Sequence, residues 1–394
     1  MATQITAGVH WVGALDPDIR VFDVIMAAPH GTTYNAYLVQ GGEKTALIEA
    51  SKRGFEDQLF THLEEVLDPW QVDYLVLNHT EPDHSGALPT VLERLGHPQL
   101  VCSKSARLFV SALLNHDLDP LLVGAGDTLD LGGKTLEFIP APFLHWPDTM
   151  FTYLPEDRVL FPCDFLGAHF CDERLFNDLV ESYDYQFEYY FNVIMRPFKS
   201  HVLKALDEIA RREVEIICPS HGPVLRANPQ AYLEKYRQWA SVLPGSQKDR
   251  LLVFYASSYG NTRRLAEAIS RGAEEQGARV SLLDLSSADV GALLGEIETC
   301  GGLAVGSLTI NGDAVKPVWD LLSSLATLEL RGRPVAAFGS YAWSGEAPRF
   351  LHQRLLDLKM KPVADPLRAH LTVDEADLQA ARDLGAKLAQ VMQL

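Results

Sequence analysis

A short stretch early in the chain carries four potential metal ligands. The segment "LVLNHTEPDHSGALP", residues 75–89, places His79, Glu81, Asp83 and His84 within six residues, directly after an apolar run. Ligands at i, i+2, i+4 and i+5 do not share one face of a regular helix or strand, whereas a loop can turn all four inward. Imidazole and carboxylate groups bind transition metals. The stretch therefore predicts a metal site in a loop that follows a strand.

Three more candidate ligands stand in similar positions further along the chain. His145 lies in "FLHWPDT", Asp164 in "PCD" and His221 in "SHGP", and each comes just after a predicted strand. Loops at strand ends carry function in layered α/β folds. If one carboxylate bridges, the seven side chains give each of two ions four protein contacts and leave open positions for a small ligand. We therefore predict a two-metal site.

The residue at the second ligand position bears on the choice of metal. The loop resembles that of the metallo-β-lactamase superfamily, whose zinc hydrolases carry H-x-H-x-D-H, but Glu81 stands here in place of the second histidine. Oxygen-rich sites of histidine and carboxylate with open positions suit iron, and added negative charge stabilises higher oxidation states. The substitution therefore favours redox iron over zinc. The other histidines, His30 and His169 among them, are interpreted as structural.

A second group of polar residues follows a strand in the C-terminal part. After "LLVFYA" comes "SSYGNTRRLAEAI", a loop that opens a helix at Thr262. Backbone N–H groups, the helix dipole and the side chains of Ser257, Ser258, Asn261 and Thr262 would cradle one phosphate. The loop has neither the G-K-[ST] of a P-loop nor G-x-G-x-x-G. A monophosphate held without lysine is typical of FMN in flavodoxins; the alternative is an ordinary polar loop with a helix cap.

Two more loops favour the flavin. "VGSLTINGDAV" (305–315) and "FGSYAWSGEAP" (338–348) each follow an apolar strand and precede a helix, and ligands bind at the carboxyl ends of strands in open α/β sheets. Tyr341 and Trp343 are suited to pack on the isoalloxazine ring. The predicted FMN-binding residues are Ser257, Ser258, Tyr259, Gly260, Asn261, Thr262, Thr309, Ile310, Asn311, Gly312, Ser340, Tyr341, Ala342, Trp343, Ser344 and Gly345.

These sites need two domains to position them, and 394 residues suffice for two. "WASVLPGSQKD" breaks a helical pattern before a new strand, which predicts domains at 1–247 and 248–394. In the first, strands and helices alternate with hairpin-like stretches, with helices near 178–212 and 230–242, as in a mixed α/β sandwich. In the second, four or five βα units predict a doubly wound parallel sheet.

Composition excludes several classes of protein. The net charge of −18 disfavours nucleic acid and anionic membranes as partners. The five cysteines are odd in number and lack C-x-x-C spacing, which argues against a disulfide framework, an iron–sulfur module and a zinc ribbon. No apolar run approaches the roughly 20 residues of a membrane span, and we see no signal peptide. We expect a cytoplasmic protein.

Taken together, the motifs resemble those of flavodiiron proteins, also called A-type flavoproteins. The markers are "GTTYNAYLV", "NHTEPDHSGALP", "FLHWPDTMFTY", "CDFLGAH", "PSHGP", "SSYGNT" and "FGSYAWSGEA". The resemblance implies a metallo-β-lactamase-like αβ/βα sandwich at 1–247 and a flavodoxin-like domain at 248–394. It also assigns the iron ligands: His79, Glu81 and His145 to one iron, Asp83, His84 and His221 to the other, and Asp164 as the bridge.

The resemblance further implies an activity and partners. The family reduces O2 to water, NO to N2O, or both, as a head-to-tail homodimer, and a tetramer is an open alternative. Electrons would come from a rubredoxin-like or other carrier. The family often has a histidine near the gas-binding side, where this chain has Asp23, with His30 nearby. Tyr190 is a candidate for the iron pocket and equally for the core.

The electron count agrees with this reading. O2 reduction to two waters needs four electrons, two from a diferrous pair and two from reduced FMN, whereas coupling two NO needs two. Two alternatives stay open. A zinc-type hydrolase with a flavodoxin-like accessory domain would need no flavin, and Glu81 argues against it. An electron carrier with a vestigial metal site would bind FMN alone, and the complete ligand set argues against that.

Overall fold

The chain folds into two compact units, Met1–Ser241 and Val242–Leu394. The structure is a computed structural model and describes residues 1–242 and 244–393. The predicted domains, 1–247 and 248–394, would divide the chain after Gln247, the first residue of the strand that opens the second unit.

The first unit is built from short strands. They are β1 (Thr3–Thr6), β2 (Val9–Trp11), β3 (Ala14–Asp16), β4 (Val21–Phe22), β5 (Met26–Ala27), β6 (Thr32–Tyr34), β7 (Tyr37–Gln40), β8 (Thr45–Ile48), β9 (Tyr74–Leu77), β10 (Gln99–Ser103), β11 (Leu121–Val123), β12 (Thr128–Asp130), β13 (Thr135–Pro140), β14 (Met150–Leu154), β15 (Val159–Phe161) and β16 (Ile216–Ile217). Its α-helices are α1 (Glu56–Glu64), α2 (Pro82–Ser85), α3 (Leu88–Arg94), α4 (Ala106–Leu114), α5 (Asp184–Tyr190), α6 (Lys199–Ile209) and α7 (Pro229–Ala240).

Two sheets form the centre of this unit. One has the order β1-β2-β7-β8-β9-β10-β11 and the other the order β12-β13-β14-β15-β16. Apolar side chains from both sheets, such as Trp11, Val76, Phe138 and Phe161, share one buried cluster between them. A second cluster packs α1, α3 and α4 on the first sheet, and a third packs α5, α6 and α7 on the second. The predicted αβ/βα sandwich is confirmed.

The helical segment predicted over 178–212 is shorter and interrupted. It begins at Asp184, widens into a π-helical turn over Phe191–Met195, and tightens into a 3-10 turn over Arg196–Phe198 before α6. Pro197 lies in the 3-10 turn, where it has no backbone N–H to continue the helical hydrogen-bonding pattern. The small β4–β5 hairpin escaped prediction because its strands have two residues each.

The second unit contains one main sheet flanked by helices. Its strands are β17 (Gln247–Tyr255), β18 (Arg279–Asp284), β19 (Cys300–Gly306), β20 (Thr309–Ile310), β21 (Asp313–Ala314), β22 (Pro334–Tyr341), β23 (Lys361–Pro362) and β24 (Leu367–His370). Its helices are α8 (Asn261–Glu274), α9 (Val290–Thr299), α10 (Lys316–Ser324), α11 (Ala347–Asp357) and α12 (Glu375–Met392).

The sheet runs in the order β18-β17-β19-β22, with β23 and β24 both parallel to β22 at the far edge. This is the 2-1-3-4-5 order of doubly wound flavodoxin-like sheets. Helices α8 and α12 pack on one face, and α9, α10 and α11 on the other. The predicted parallel sheet is confirmed. None of the helices in the described ranges is long and apolar enough to cross a membrane.

Candidate metal centre and flavin-binding loops

The seven predicted metal ligands come from four loops that follow strands. The loop after β9 leads into α2, and β13, β15 and β16 each precede one further ligand. Pro82 starts α2, which suits its fixed φ and missing N–H. The structure brings all seven side chains together: His79, Glu81, Asp83, His84, His145, Asp164 and His221.

One half of this cluster lies around Glu81. Oε2 of Glu81 is 2.9 Å from Nε2 of His145 and 3.3 Å from Nε2 of His79. Together with an oxygen of Asp164, these ligand atoms lie within 4.8 Å of one another. Two imidazoles and two carboxylates at this separation can hold one metal ion.

The other half lies around His221. Nε2 of His221 is 3.0 Å from Oδ2 of Asp83, and Nε2 of His84 is 3.4 Å from Oδ1 of Asp83. These three residues also present ligand atoms within 4.8 Å of one another. This half can hold a second ion.

Asp164 faces both halves with different oxygens. Its Oδ2 is 3.6 Å from Nε2 of His79 and of His145. Its Oδ1 is 3.2 Å from Nε2 of His84 and 3.4 Å from Nε2 of His221. One carboxylate placed in this way can bridge two metal ions.

Three donor atoms at the centre of the cluster lack hydrogen-bond partners within the described ranges, which is what a metal-binding site would require. Asp83 Oδ1, His84 Nε2 and Asp164 Oδ2 are buried and make no hydrogen bond with any residue that the structure describes. Buried polar atoms without partners are costly. Metal coordination would satisfy all three, so the residues fit a two-ion centre.

Residues outside the cluster orient two of the imidazoles. Nδ1 of His221 lies 2.6 Å from the carbonyl oxygen of Thr33, and Nδ1 of His79 lies 3.2 Å from Oδ2 of Asp148. Both oxygens only accept, so each Nδ1 carries its proton and Nε2 faces the centre. Thr80 holds Asp148 in place through its backbone N–H and its hydroxyl.

The sequence analysis missed Asp148. Its signal was available in "HWPDT", where it follows His145 by three residues. What the sequence lacked was the contact with His79, which joins residues 69 positions apart.

Histidines and carboxylates in the cluster stabilise each other's charged forms. Burial disfavours a charged His79, but hydrogen bonds with Asp148 and Glu81 outweigh it and raise its pKa to about 10. Burial likewise disfavours a charged Asp83, but His84 and His221 outweigh it and lower its pKa to about 2. The pKa of His84 is also raised, because the charges of Asp83 and Asp164 outweigh its burial, so in the absence of metal protons on His79 and His84 balance carboxylates of the cluster.

Tyr190 lies at the cluster. Its hydroxyl donates a hydrogen bond to Oδ1 of Asp164 at 3.0 Å, and the residue is buried. It also belongs to the buried apolar cluster that packs α5, α6 and α7 on the second sheet, so it occupies a core position beside the candidate ligands. His169, interpreted from sequence as structural, also lies here: its ring centroid is 5.2 Å from that of His221.

The segment with Asp23 reaches the same region. Asp23 and Val24 form the tip of the β4–β5 hairpin with φ of 46° and 67°. Partial burial raises the pKa of Asp23, as do the nearby charges of Glu81 and Asp83. His30 contacts Phe170, with ring centroids 5.6 Å apart.

The three predicted flavin loops follow β17, β19 and β22, which are neighbours in the sheet. In the first loop, Gly260 takes φ of 83° directly before α8, and its N–H donates to Oγ of Ser257. Thr262 lies one residue inside α8, and its Oγ1 is 2.8 Å from Oγ of Ser340 in the third loop. This bond joins the first and third loops at the helix N-terminus.

The first and third loops supply exposed aromatic rings, and the second loop supplies a hydroxyl that could bind a ligand. Asn311 and Gly312 have positive φ and connect β20 to β21 as a tight hairpin, and Oγ1 of Thr309 is buried without a partner among the described residues. Of the two residues predicted to stack on the flavin ring, Trp343 exposes 84% of its surface, whereas Tyr341 is half-buried. Tyr259 exposes 94% of its surface, so the rings of Trp343 and Tyr259 are open for stacking. The loops thus fit a flavin phosphate and ring.

The remaining predicted residues lie in the same loops. Ser258 is exposed beside Tyr259, and Ile310 is exposed on β20. The carbonyl of Ala342 accepts from Nε2 of His370 at 2.6 Å. Gly345 lies against the ring of Tyr341, where a side chain would collide. Asn261 begins α8, and Ser344 is half-buried between Trp343 and Gly345.

Comparison with known families agrees with both units. Residues 32–222 match the ODP family beta lactamase, and residues 253–385 match flavodoxin. The chain is 47% identical over 393 residues to type A flavoprotein fprA of Rhodobacter capsulatus, covering 98% of this chain and 90% of that protein. It is 38% identical to a nitric oxide reductase of Moorella thermoacetica, covering 98% of this chain and 97% of that one.

Solved structures of similar proteins share the whole fold. Rubredoxin oxygen:oxidoreductase from Desulfovibrio gigas superimposes with a TM-score of 0.73 at 30% identity, covering 100% of this chain and 99% of the other. The flavodiiron protein from Giardia intestinalis gives 0.70 at 27% identity, covering 100% and 97%. The zinc-hydrolase and electron-carrier alternatives are therefore set aside. The chain belongs to the flavodiiron (type A flavoprotein) family of oxidoreductases, whose cofactors are FMN and a diiron site.

Proposed function

We propose that this flavodiiron protein reduces NO to N2O, O2 to water, or both, at a diiron site held by the seven-residue cluster. The observation that carries the proposal is the position of Asp164, whose two oxygens face the two halves of the cluster. A relative named nitric oxide reductase and a structural neighbour named rubredoxin oxygen:oxidoreductase support both gases as substrates.

The cluster divides its ligands as the family resemblance implies. His79, Glu81 and His145 would hold one iron, Asp83, His84 and His221 would hold the other, and Asp164 would bridge them. When bound, the irons supply redox electrons and open positions for the gas, and FMN supplies two further electrons. Glu81 adds an anionic oxygen donor, which suits iron in its higher oxidation states.

Residues around the ligands keep them in position. The Thr33 carbonyl and the Asp148 carboxylate hold the protons of His221 and His79 on Nδ1, so Nε2 stays directed at the centre. The Tyr190 hydroxyl holds the bridging carboxylate by one oxygen. The protein thereby fixes the separation of the two metal positions before any gas arrives.

We further propose the partners that this reaction requires. Electrons enter through FMN, bound by the three loops of the second unit, from a rubredoxin-like or other carrier. Relatives named flavorubredoxin support this donor. The protein works as a head-to-tail homodimer, with a tetramer as the other assembly to test. Five free thiols support a reducing cytoplasm as its location.

An anaerobic single turnover tests the proposal. The protein is loaded with iron, its iron and FMN per chain are quantified, and it is fully reduced and mixed with O2 or NO. Rapid oxidation of flavin and iron by O2, with water and little peroxide as product, would establish oxygen reduction. N2O formation would establish nitric oxide reduction. Reaction with neither gas, despite full iron and FMN, would overturn the proposal.

A further inference from the structure

The imidazole of His84 has two buried neighbours at its second nitrogen. While Nε2 faces the candidate metal centre, Nδ1 lies 4.0 Å from Oε2 of Glu49 and 3.8 Å from Sγ of Cys163. Glu49 and Cys163 are each 1% exposed, and neither is among the seven predicted ligands. The three residues therefore form a buried group behind one of the candidate ligands.

Glu49 is fixed at the end of a strand. It directly follows β8, and its N–H donates to a carbonyl oxygen of β9. Its φ is 71°, and strained backbone conformations of this kind cluster at functional sites. Oε1 of Glu49 accepts from the N–H of Asn78 at 3.2 Å, and the side chain of Asn78 is held by Phe161 and Thr152. One carboxylate oxygen is therefore anchored beside His84.

The other oxygen of Glu49 lacks a partner. Oε2 is buried and has no hydrogen-bond partner within residues 1–242 and 244–393. A buried polar atom in this state is costly. Nδ1 of His84 lies beyond hydrogen-bonding distance at 4.0 Å, and a shift of roughly 1 Å would close the bond. A hydrogen bond from His84 would thus satisfy the free oxygen.

The position of the ring proton decides whether His84 can bind a metal ion. The ion takes the lone pair of Nε2, so the proton must stay on Nδ1. A carboxylate accepts hydrogen bonds and does not donate them, so Glu49 favours this tautomer. The thiol of Cys163 can also donate, and a bond from its S–H to Nδ1 would favour the tautomer that cannot bind metal. Glu49 is therefore the neighbour suited to prepare His84 for metal.

We propose that Glu49 is a positioning residue of the diiron centre: its Oε2 accepts the Nδ1–H of His84 and directs Nε2 to the second metal position. The inference rests on the proposed function. It gives His84 the support that Asp148 and the Thr33 carbonyl give to two other imidazoles. A carboxylate on the far nitrogen also makes the imidazole a more basic ligand, which favours the higher oxidation state of the iron.

Metal affinity tests the assignment without any gas. Glu49→Gln keeps an oxygen for the N–H of Asn78 and replaces the other oxygen by an amide nitrogen, which cannot accept. The full-length protein with FMN, freed of iron by chelation, is titrated anaerobically with iron(II). We expect the first ion to bind as in wild type and the second ten- to a hundredfold more weakly. Glu43→Gln, at an exposed glutamate between β7 and β8, is the matched control and should bind both ions normally.

The midpoint potential of the iron pair separates the charge of Glu49 from its packing. With both irons loaded, redox titration followed by electron paramagnetic resonance should give a higher potential for Glu49→Gln than for wild type. Cys163→Ala removes the thiol and leaves the carboxylate, so its second-ion affinity and its potential should match wild type. If Cys163→Ala weakens the second ion and Glu49→Gln does not, the thiol supports His84 and the proposal is overturned.

A crystal structure of the wild-type holoprotein gives a test that needs no variant. We expect Oε2 of Glu49 within about 3.2 Å of Nδ1 of His84 once both metal positions are filled. A separation that stays near the value in the metal-free structure, or a third ion bound between Glu49 and Cys163, would overturn the proposal.

The two hypotheses fail differently. If wild-type protein does not bind two irons, the proposed function fails. If wild type binds two irons and reduces the gas, but Glu49→Gln binds both ions with wild-type affinity and potential, the role of Glu49 is overturned while the reductase function stands.

Discussion

Oδ1 of Asp164 lies 3.2 Å from Nε2 of His84, yet the two residues are 80 positions apart in the chain. The other oxygen of the same carboxylate faces His79 and His145. One side chain, placed by the end of β15, thus joins ligand groups supplied by three other loops.

Replacing Asp164 by Asn should lower both the metal content and the rate of gas reduction. The substitution removes the negative charge between the two halves and leaves one amide nitrogen that cannot act as a ligand oxygen. We expect the iron content to fall from about two to about one or fewer per chain, with loss of gas reduction of at least about a hundredfold. Metal analysis and single-turnover kinetics give both values.

Asp130→Asn is the matched control, because Asp130 is exposed and its Oδ1 only accepts from the N–H of Gly132, which an amide oxygen can still do. Full iron content in the Asp164 variant would contradict the bridging role.

Metal binding should release protons, and Asp148 should govern part of that release. The pKa of His79 is raised to about 10, so below that pH the metal-free protein holds a proton on Nε2 that a metal must displace. Metal affinity should therefore rise as the pH rises toward 10. Asp148→Asn removes a carboxylate that favours the charged ring, so the pKa should fall and fewer protons should be released at pH 8.

Calorimetric titration of the metal-free protein with a divalent ion, in buffers of different ionisation enthalpy, counts these protons. Equal proton release by wild type and the Asp148 variant at pH 8 would show that Asp148 does not set the protonation of His79.

Tyr190→Phe should slow gas reduction while leaving both metals bound. The hydroxyl donates to a carboxylate, and such hydrogen bonds contribute about 1.5–3 kcal/mol. Without it, Asp164 loses its fixed orientation but keeps both oxygens. We expect unchanged iron content, an altered optical spectrum of the diiron site and a rate lower by roughly tenfold.

Tyr183→Phe controls for the loss of a buried hydroxyl, because that hydroxyl lies 3.3 Å from Tyr232 and not at a ligand. If both variants reduce the gas equally slowly, the lower rate results from altered packing and not from loss of the hydrogen bond with Asp164.

Thr262→Val should weaken FMN binding. The hydroxyl of Thr262 is fully buried and joins the first flavin loop to Ser340 in the third. Its loss removes one hydrogen bond worth about 1 kcal/mol and frees the loops to separate, so the dissociation constant should rise by roughly tenfold. Quenching of FMN fluorescence on titration of the flavin-free protein measures it.

Thr372→Val supplies the comparison, since Thr372 is exposed and lies outside the three loops. If the Thr262 variant binds FMN with an affinity within twofold of wild type, Thr262 does not contribute to FMN binding.

The sequence alone allowed the ligand set and the flavin loops to be predicted, because both depend on local signals. Four ligands crowd into residues 79–84, and each further ligand directly follows an apolar strand. Alternation of strands and helices after residue 247 likewise predicts the parallel sheet. Each of these predictions depends only on residues that are close together in the sequence.

Tertiary structure decided which side chains support those ligands. Thr33 meets His221 across 188 positions, Asp148 meets His79 across 69, and His169 reaches the cluster only because the chain turns after Asp164. No sequence pattern specifies such pairs, since they depend on the packing of two sheets. The same packing determines that the two oxygens of Asp164 face different ligand groups.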